Sequence, residues 1–379
     1  MAISMSLVAL AIDAMLPALG QIGADLGLTR DNDRQLVLTL LFAGLAVGQL
    51  FYGPVSDTFG RRAPILFGFG LFIVGSLIAI FAPTFDWLLV GRFLQGLGAA
   101  GPRIITVAIV RDGSAGREMA RIMSLVMMVF ILVPAVAPAL GQIILLFAPW
   151  RGIFVALLLL AGATMAWFHI RQPETLSTDK RLPFSLIAIG GSFREVLTTR
   201  SAVVYTLAGG MIFGAFIGFL NTSQQILQEL YGLGVRFPAY FAFLALTIGL
   251  SSFVNSRLVV RYGMRYLSRL ALAVSVLASG VFLLICLYRH PDLHLTMVYL
   301  SVTFFCTGIL FGNLNSLAME PLGHIAGMAS SLIGSITTFI SLGLGFVIGS
   351  AYNGTVIPVV AGFGVLGALS LGAMWMSRE

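Results

Sequence analysis

Three charged residues stand inside otherwise apolar runs of this chain, Asp13, Arg92 and Arg103. Each costs about 2.5–3.5 kcal/mol at mid-helix on membrane-insertion scales, so their presence points to a function. One carboxyl and two guanidiniums in such places suit the handling of a proton or of a polar solute. Hydrocarbon favours a neutral acid and a nearby guanidinium favours a carboxylate, so an acid in Asp13's position can take up and release a proton as its surroundings change. Asp13 falls about two turns before the end of its apolar run and Arg92 about two turns after the start of its own, which gives them similar depth at about 1.5 Å per residue. The eleven-residue step from Arg92 to Arg103 puts both on one helix face, about 16 Å apart. The same placement admits a second reading, a permanent Asp13–Arg92 ion pair that only joins two helices.

Helices must carry these residues, and the composition supplies them. Of 379 residues, 58% are hydrophobic and 10% charged, too little charge to cover a soluble surface. A helix needs about 20 mostly apolar residues to cross a core about 30 Å thick. That window predicts spans at 2–21, 35–55, 64–83, 86–110, 120–146, 150–170, 201–227, 236–258, 266–288, 293–318, 326–350 and 353–375. The fold class is therefore an all-α polytopic membrane protein of twelve transmembrane helices in two pseudo-symmetric six-helix bundles. The bundles are expected at 1–170 and 201–379, joined by a cytoplasmic linker at 171–200 whose segment 184–198 is suited to an amphipathic helix lying on the membrane. A weak repeat supports duplication: GPVSDTFGRR after the second span resembles SRLVVRYGMR after the eighth, matching Gly60 with Gly263 and Arg62 with Arg265. The 43 glycines and 14 prolines, set in apolar runs, read as close helix contacts and helix breaks.

The net charge of +7 comes from short basic clusters between apolar runs, not from one stripe, which argues against nucleic acid. With both termini in the cytoplasm, Arg61, Arg62, Arg111, Arg117, Arg121, Arg171, Lys180, Arg181, Arg194, Arg200, Arg257, Arg261, Arg265 and Arg269 all fall inside. Only Arg30, Arg34, Arg151, Arg236 and Arg289 face out, and this asymmetry sets the orientation. The opening segment lacks a basic leader and carries Asp13, so it reads as the first span and not as a signal peptide. Cys286 and Cys306 lie in apolar runs and offer no disulfide framework. His290 and His294 share helical spacing around Asp292, but with no third ligand they predict no metal site. No cofactor loop and no nucleophile–base pair appears, so the chain is not expected to be an enzyme. Further polar and aromatic candidates for a solute cavity are Gln95, Phe213, Phe216, Asn221, Gln224, Asn313 and Asn315; for the phenylalanines, helix packing or lipid contact is the competing reading.

These residues resemble the major facilitator superfamily over essentially the whole chain, and in particular its drug:proton antiporters of the bicyclomycin/chloramphenicol-resistance (Bcr/CflA) branch. GPVSDTFGRR, with Gly53, Asp57, Gly60, Arg61 and Arg62, is similar to the superfamily's signature between spans 2 and 3. The resemblance implies a conformational latch there, in which Asp57 meets the start of span 11, although Thr58 stands where a basic residue is usual. Arg92-Phe-Leu-Gln95-Gly96-Leu-Gly98 is similar to the span 4 signature whose arginine is associated with proton transfer. Asp13-Ala-Met-Leu-Pro17 resembles the acid-and-proline signature of drug exporters. Pro134, Pro138 and Gly141 look like a variant of the antiporter signature, with Pro134 and Gln142 in place of expected glycines. Pro173-Glu174-Thr175-Leu176 and Gly323-His324-Ile-Ala-Gly327 also match, without naming chemistry.

The resemblance implies alternating access, with Asp13 taking the proton, Arg92 tuning it, and Arg103 available to a substrate. The expected function is proton-coupled export of small lipophilic drugs, amphenicol-like or similar, from a bacterial inner membrane, by a monomer whose partners are substrate, protons and the lipid bilayer. Rival readings are a proton-linked exporter of a metabolite such as an amino-acid derivative, sugar or siderophore, and a non-transporting membrane sensor or scaffold.

Overall fold

Inside a bilayer every backbone N–H and C=O must be satisfied within its own segment, which for runs of this length means helices. The computed structural model describes residues 2–114, 116–181, 183 and 185–376 and forms helices along every one of these apolar runs. The chain termini, and the side chains of Arg117 and Lys180 from the predicted basic loops, lie outside the described set.

The chain forms two compact units, Met1–Ser192 and Phe193–Glu379. The first holds α1 (Ala2–Asp13), α2 (Leu19–Asp25), α3 (Leu36–Phe59), α4 (Arg62–Ile80), α5 (Phe85–Gly113), α6 (Gly116–Phe147) and α7 (Arg151–Arg171). The division falls within α8 (Leu186–Thr198), inside the polar interval 171–200. The second unit holds α9 (Arg200–Gln224), α10 (Phe237–Tyr262), α11 (Met264–Tyr288), α12 (Leu293–Met319), α13 (Ala326–Ser350) and α14 (Ile357–Met376). With α1 and α2 counted as one, the helices of the described residues that follow the twelve apolar runs fall six in each unit.

The predicted first span differs in one respect from what is found. It is not one regular helix but is broken by a 3-10 turn at Leu16–Ala18. Pro17 lacks an N–H and its ring crowds the carbonyl four residues back, which is that of Asp13, so the regular helix stops there. The seventh span ends in a π turn at Gln225–Leu230, beyond the predicted limit.

The two units repeat one pairing pattern. In the first, α5 packs on α3 and α4, α4 on α7, and α1 on α6 and α5; in the second, α12 packs on α10 and α11, α11 on α14, and α9 on α13 and α12. Counted as spans, the same five pairs recur, and a gene duplication produces that result directly. Lipid tails give no hydrophobic force between such helices, so close approach and polar contacts hold them together. Large apolar side chains such as Phe67, Leu159 and Leu277 stand exposed along the spans, a surface that lipid accepts and water does not.

The repeat read from the sequence has a shared backbone geometry. Gly60 ends α3 at φ 90° and Gly263 ends α10 at φ 78°, both in the region that glycine alone adopts without strain. Each lets one span turn at once into the next. α8 occupies the segment predicted to be amphipathic, with Val196 buried and Ile187 and Leu197 exposed.

Candidate functional site

Arg92 lies in α5 with no exposed surface, and its fork of donors explains how such burial is tolerated. Nε donates to the Val37 carbonyl of α3 at 2.9 Å, Nη1 to Gln95 Oε1 at 2.8 Å, and Nη2 to the Ala11 carbonyl of α1 at 2.8 Å. Gln95 sits one turn along the same face and passes the network on, its Nε2 donating to Ser76 Oγ of α4 at 2.8 Å. The Phe154 ring of α7 lies 5.7 Å from the guanidinium carbon. One arginine thus ties four spans together without a carboxylate, and charge-assisted bonds of this kind contribute about 1.5–3 kcal/mol each. Ser76 was missed by sequence reasoning, because a serine in an apolar run is indistinguishable from a packing residue.

Asp13 is 5% exposed at the end of α1, two residues after the carbonyl that anchors Arg92. The direct Asp13–Arg92 pair of the second reading is not formed. Arg92 instead spends its donors on Val37, Gln95 and Ala11, and Asp13 has no ion pair or side-chain hydrogen bond among the described residues. A structural ion pair therefore does not account for this acid. Gly141 of α6 approaches so closely that a Cβ there would run into the Ala14 carbonyl. The glycine of the antiporter-like segment is thus what lets α6 lie against the broken first span beside Asp13. Pro138 is buried and Pro134 half-buried on the same helix.

Arg103 is half-buried on α5 and forms no hydrogen bond or ion pair among the described residues. One turn on, the hydroxyl of Thr106 is buried without a partner. The upper and lower arginines of α5 are therefore unlike: Arg92 is consumed by structure and Arg103 is available.

The Gly53–Arg62 segment is held by a second polar cluster. Arg61, 3% exposed, donates through Nη1 to Asp57 Oδ1 at 2.5 Å and Ser56 Oγ at 2.9 Å, and through Nε to Asp112 Oδ2 at 2.7 Å. Burial disfavours its charge, but the bonds it donates to Asp112 and Asp57 outweigh that and raise its pKa. Glu174 accepts from the backbone N–H groups of Arg61 at 2.8 Å and Arg62 at 3.0 Å. Its Oε1 also accepts from Thr175 N and Leu176 N, each at 3.0 Å. A Cβ on Gly60 would lie 2.5 Å from Glu174 Oε2, so any side chain there would push the carboxylate off the turn. The Pro173–Leu176 match, which named no chemistry in the sequence, is the clamp on this turn. Asp112 was missed; its only signal was an acid directly after Arg111 in a basic loop. Gly53 opens the segment as the acceptor of Ser56 Oγ.

In the second unit, Phe213 and Phe216 lie with Phe304 and Phe311 in one aromatic cluster, Phe213 to Phe311 at 5.3 Å and Phe216 to Phe304 at 5.5 Å. They are half-buried, which fits packing on one side and leaves the other open. Asn221 donates to the Gly345 carbonyl at 3.3 Å while its Oδ1 is buried without a partner. Gln224 donates to Glu229 at 3.1 Å. Asn313 exchanges amide bonds with Asn255 at 2.9 and 3.0 Å, joining α12 to α10. Asn315 is exposed, because two residues turn a helix by about 200°, so the two asparagines do not share a site. Asn255 was missed, although an amide inside an apolar run was a readable signal.

Twelve spans in two units of one pairing pattern, carrying a lone buried acid and an arginine network inside the apolar zone, define a polytopic membrane transporter. The chain matches the model of the Major Facilitator Superfamily over residues 1–346 and belongs to that superfamily. It is 34% identical over 331 residues, 86% of this chain and 81% of the other, to an uncharacterized MFS-type transporter, YdgK, of Bacillus subtilis. It is 32% identical over 370 residues, covering 95% and 90%, to a bicyclomycin resistance protein homolog of Haemophilus influenzae. It is 31% identical over 334 residues, covering 85% and 80%, to the multidrug resistance protein MdtL of Escherichia coli. In fold it is similar to the human organic anion transporter MFSD10, with TM-score 0.69 at 18% identity over 100% and 97% of the two chains. It is likewise similar to the xylose transporter XylE of E. coli, with TM-score 0.72 at 12% identity over 100% and 96%. Those two likenesses concern the fold alone.

Proposed function

We propose that this transporter is a proton-coupled antiporter that exports small lipophilic drugs, amphenicol-like or similar, by alternating access between its two bundles. The observation that carries the reading is Asp13, a buried acid without a partner among the described residues, at the Pro17 break and two residues from the carbonyl that holds Arg92. An acid that only joined helices would be paired; one that must gain and lose a proton cannot be tied down. The names of the H. influenzae and E. coli relatives, bicyclomycin and multidrug resistance, favour drugs as the cargo.

Asp13 takes the proton, Arg92 tunes the exchange through its fixed position, and Arg103 with Thr106 contacts the solute. Asp57 and the Gly60 turn latch one conformation. Two arginines against one acid favour neutral, zwitterionic or anionic solutes over strongly cationic ones. The chain works as a monomer in a bacterial inner membrane, with both termini and the basic loops in the cytoplasm. One entering proton at 100 mV supplies about 2.3 kcal/mol, about fifty-fold accumulation of a neutral solute.

The test is amphenicol flux in proteoliposomes under an imposed pH gradient. Wild-type flux should rise with the gradient, and Asp13→Asn should lose that rise while still binding drug. Wild-type flux that ignores the gradient refutes proton coupling; displacement by an amino-acid derivative, sugar or siderophore but not by drugs moves the cargo to metabolites; and gradient-driven flux unchanged in Asp13→Asn removes the acid from the mechanism.

A further inference from the structure

A groove of about 670 Å³ runs between the first turns of α10 and α12 in the second unit. Its walls are apolar, with Phe243 from α10 and Met297, Val298 and Val302 from α12, and Tyr240 and His294 are its polar-tipped members nearest the helix starts. Phe243 and Val298 are more than half exposed, so the groove opens along the outside of two membrane spans. Both helices begin at this end, which places its mouth where a bilayer changes from tails to headgroups. Tyrosine and histidine are suited to that level, each with an apolar body and a polar tip.

The charges around the mouth favour an anion. Arg236 directly precedes α10 and Arg289 directly follows α11; both are exposed, and neither forms an ion pair among the described residues. Two acids stand at this end: Asp292 caps α12, its Oδ1 accepting from Leu295 N at 2.8 Å, and Glu229 accepts from Gln224 at 3.1 Å. The bound solute of a transporter has no need of a slot on this outer face, whereas a lipid meets both the apolar walls and the basic rim.

We infer that this groove is a binding site for one anionic phospholipid, an acyl chain lying along Phe243, Met297, Val298 and Val302 and the phosphate at the level of Tyr240 and His294 beside Arg236. Ser301, whose hydroxyl is already bonded to the Met297 carbonyl at 2.6 Å, leaves the floor of the groove free of unmet polar demand. The lipid thereby fills a gap that no side chain of α10 or α12 closes.

Native mass spectrometry of the detergent-purified, delipidated chain titrated with phosphatidylglycerol or phosphatidylcholine tests the site. The expected result is one phosphatidylglycerol that persists after further lipids are stripped, favoured over phosphatidylcholine. Near a membrane surface a basic residue contributes about five-fold, so Arg236→Gln should lower the preference by about that factor. Val298→Trp and Ser301→Trp, which fill the groove, should abolish the persistent adduct, while Leu277→Trp on the exposed face of α11 should retain it. Monodispersity and unfolding temperature show that each variant is folded. No persistent adduct in the wild type, or one that survives both filling variants, refutes the site. Equal retention of the two lipids refutes the anionic headgroup.

Discussion

The Gly60 and Gly263 junctions have the same backbone and opposite chemistry. Both glycines sit at positive φ between consecutive spans. Around Gly60, a buried Arg61 gathers Asp57, Ser56 and Asp112, and Glu174 grips the turn from its backbone. Around Gly263, a Cβ would meet nothing within 4 Å. Its Arg265 only reaches Glu320 at 3.6 Å, with the two side chains 54% and 56% exposed. Water and salt screen such a pair to about 0–1 kcal/mol, whereas a buried arginine must be fully partnered. The contrast recurs inside the bilayer. Arg92 of α5 bonds to carbonyls of α1 and α3 and lies by the Phe154 ring of α7, while Asn313 of α12, the corresponding span, makes a single amide exchange with Asn255. Duplication therefore transmitted helix packing to both halves and, among the described residues, left buried charge in the first alone.

The largest test of this contrast is at the two bridging residues. Arg92→Ala removes the donors to the Val37 and Ala11 carbonyls and to Gln95, three charge-assisted bonds, and should cost about 3 kcal/mol or more; Asn313→Ala breaks one neutral exchange and should cost about 1–2 kcal/mol. Thermal unfolding in detergent reads both, and equal losses would erase the distinction. Arg92→Lys should not rescue, because an ammonium cannot reach three acceptors in a fork.

Next come the glycines. Alanine at either position pays about 1–3 kcal/mol for a positive φ with extended ψ, a region essentially confined to glycine, and at Gly60 it must also displace Glu174. Gly60→Ala should therefore lower the unfolding temperature more than Gly263→Ala. The reverse order would mean that Glu174 is not a clamp.

Smallest is the response to acid. Partial burial raises the Glu174 pKa, but four backbone donors outweigh it and hold the carboxyl below its usual range. A depressed folded pKa gives stability that is complete above the unfolded value, about 4.3, and that disappears as pH falls through the lower folded value. The stability difference between wild type and Glu174→Gln should thus be flat from neutral pH down to about 5 and shrink below that. Glu320→Gln should stay within about 0.5 kcal/mol of wild type at neutral pH.

Much of the molecule was legible in the chain. The spans follow from apolar length, and the Gly60–Gly263 match was visible as a repeat. Asp13, Arg92 and Arg103 were conspicuous because charge is rare in such runs. Their connections were not. Similar depth suggested that Asp13 meets Arg92, yet Arg92 turns to carbonyls, whose availability depends on how neighbouring helices are rotated and where α1 breaks. Asp112, Ser76 and Asn255 escaped notice because a polar residue in a loop or an apolar run has many possible roles until its neighbour is known.

The sequence by itself determined that this is a helical membrane protein of twelve spans, because a bilayer imposes a length and a polarity on every segment independently of its neighbours. It also determined which residues break that rule. Only the tertiary structure decided that Arg92 is consumed by structure, that Asp13 has no partner among the described residues, and that Glu174 closes the Gly60 turn. Hydrogen bonds depend on ångström-scale placement of groups far apart in the chain, and that placement exists only once the helices have packed.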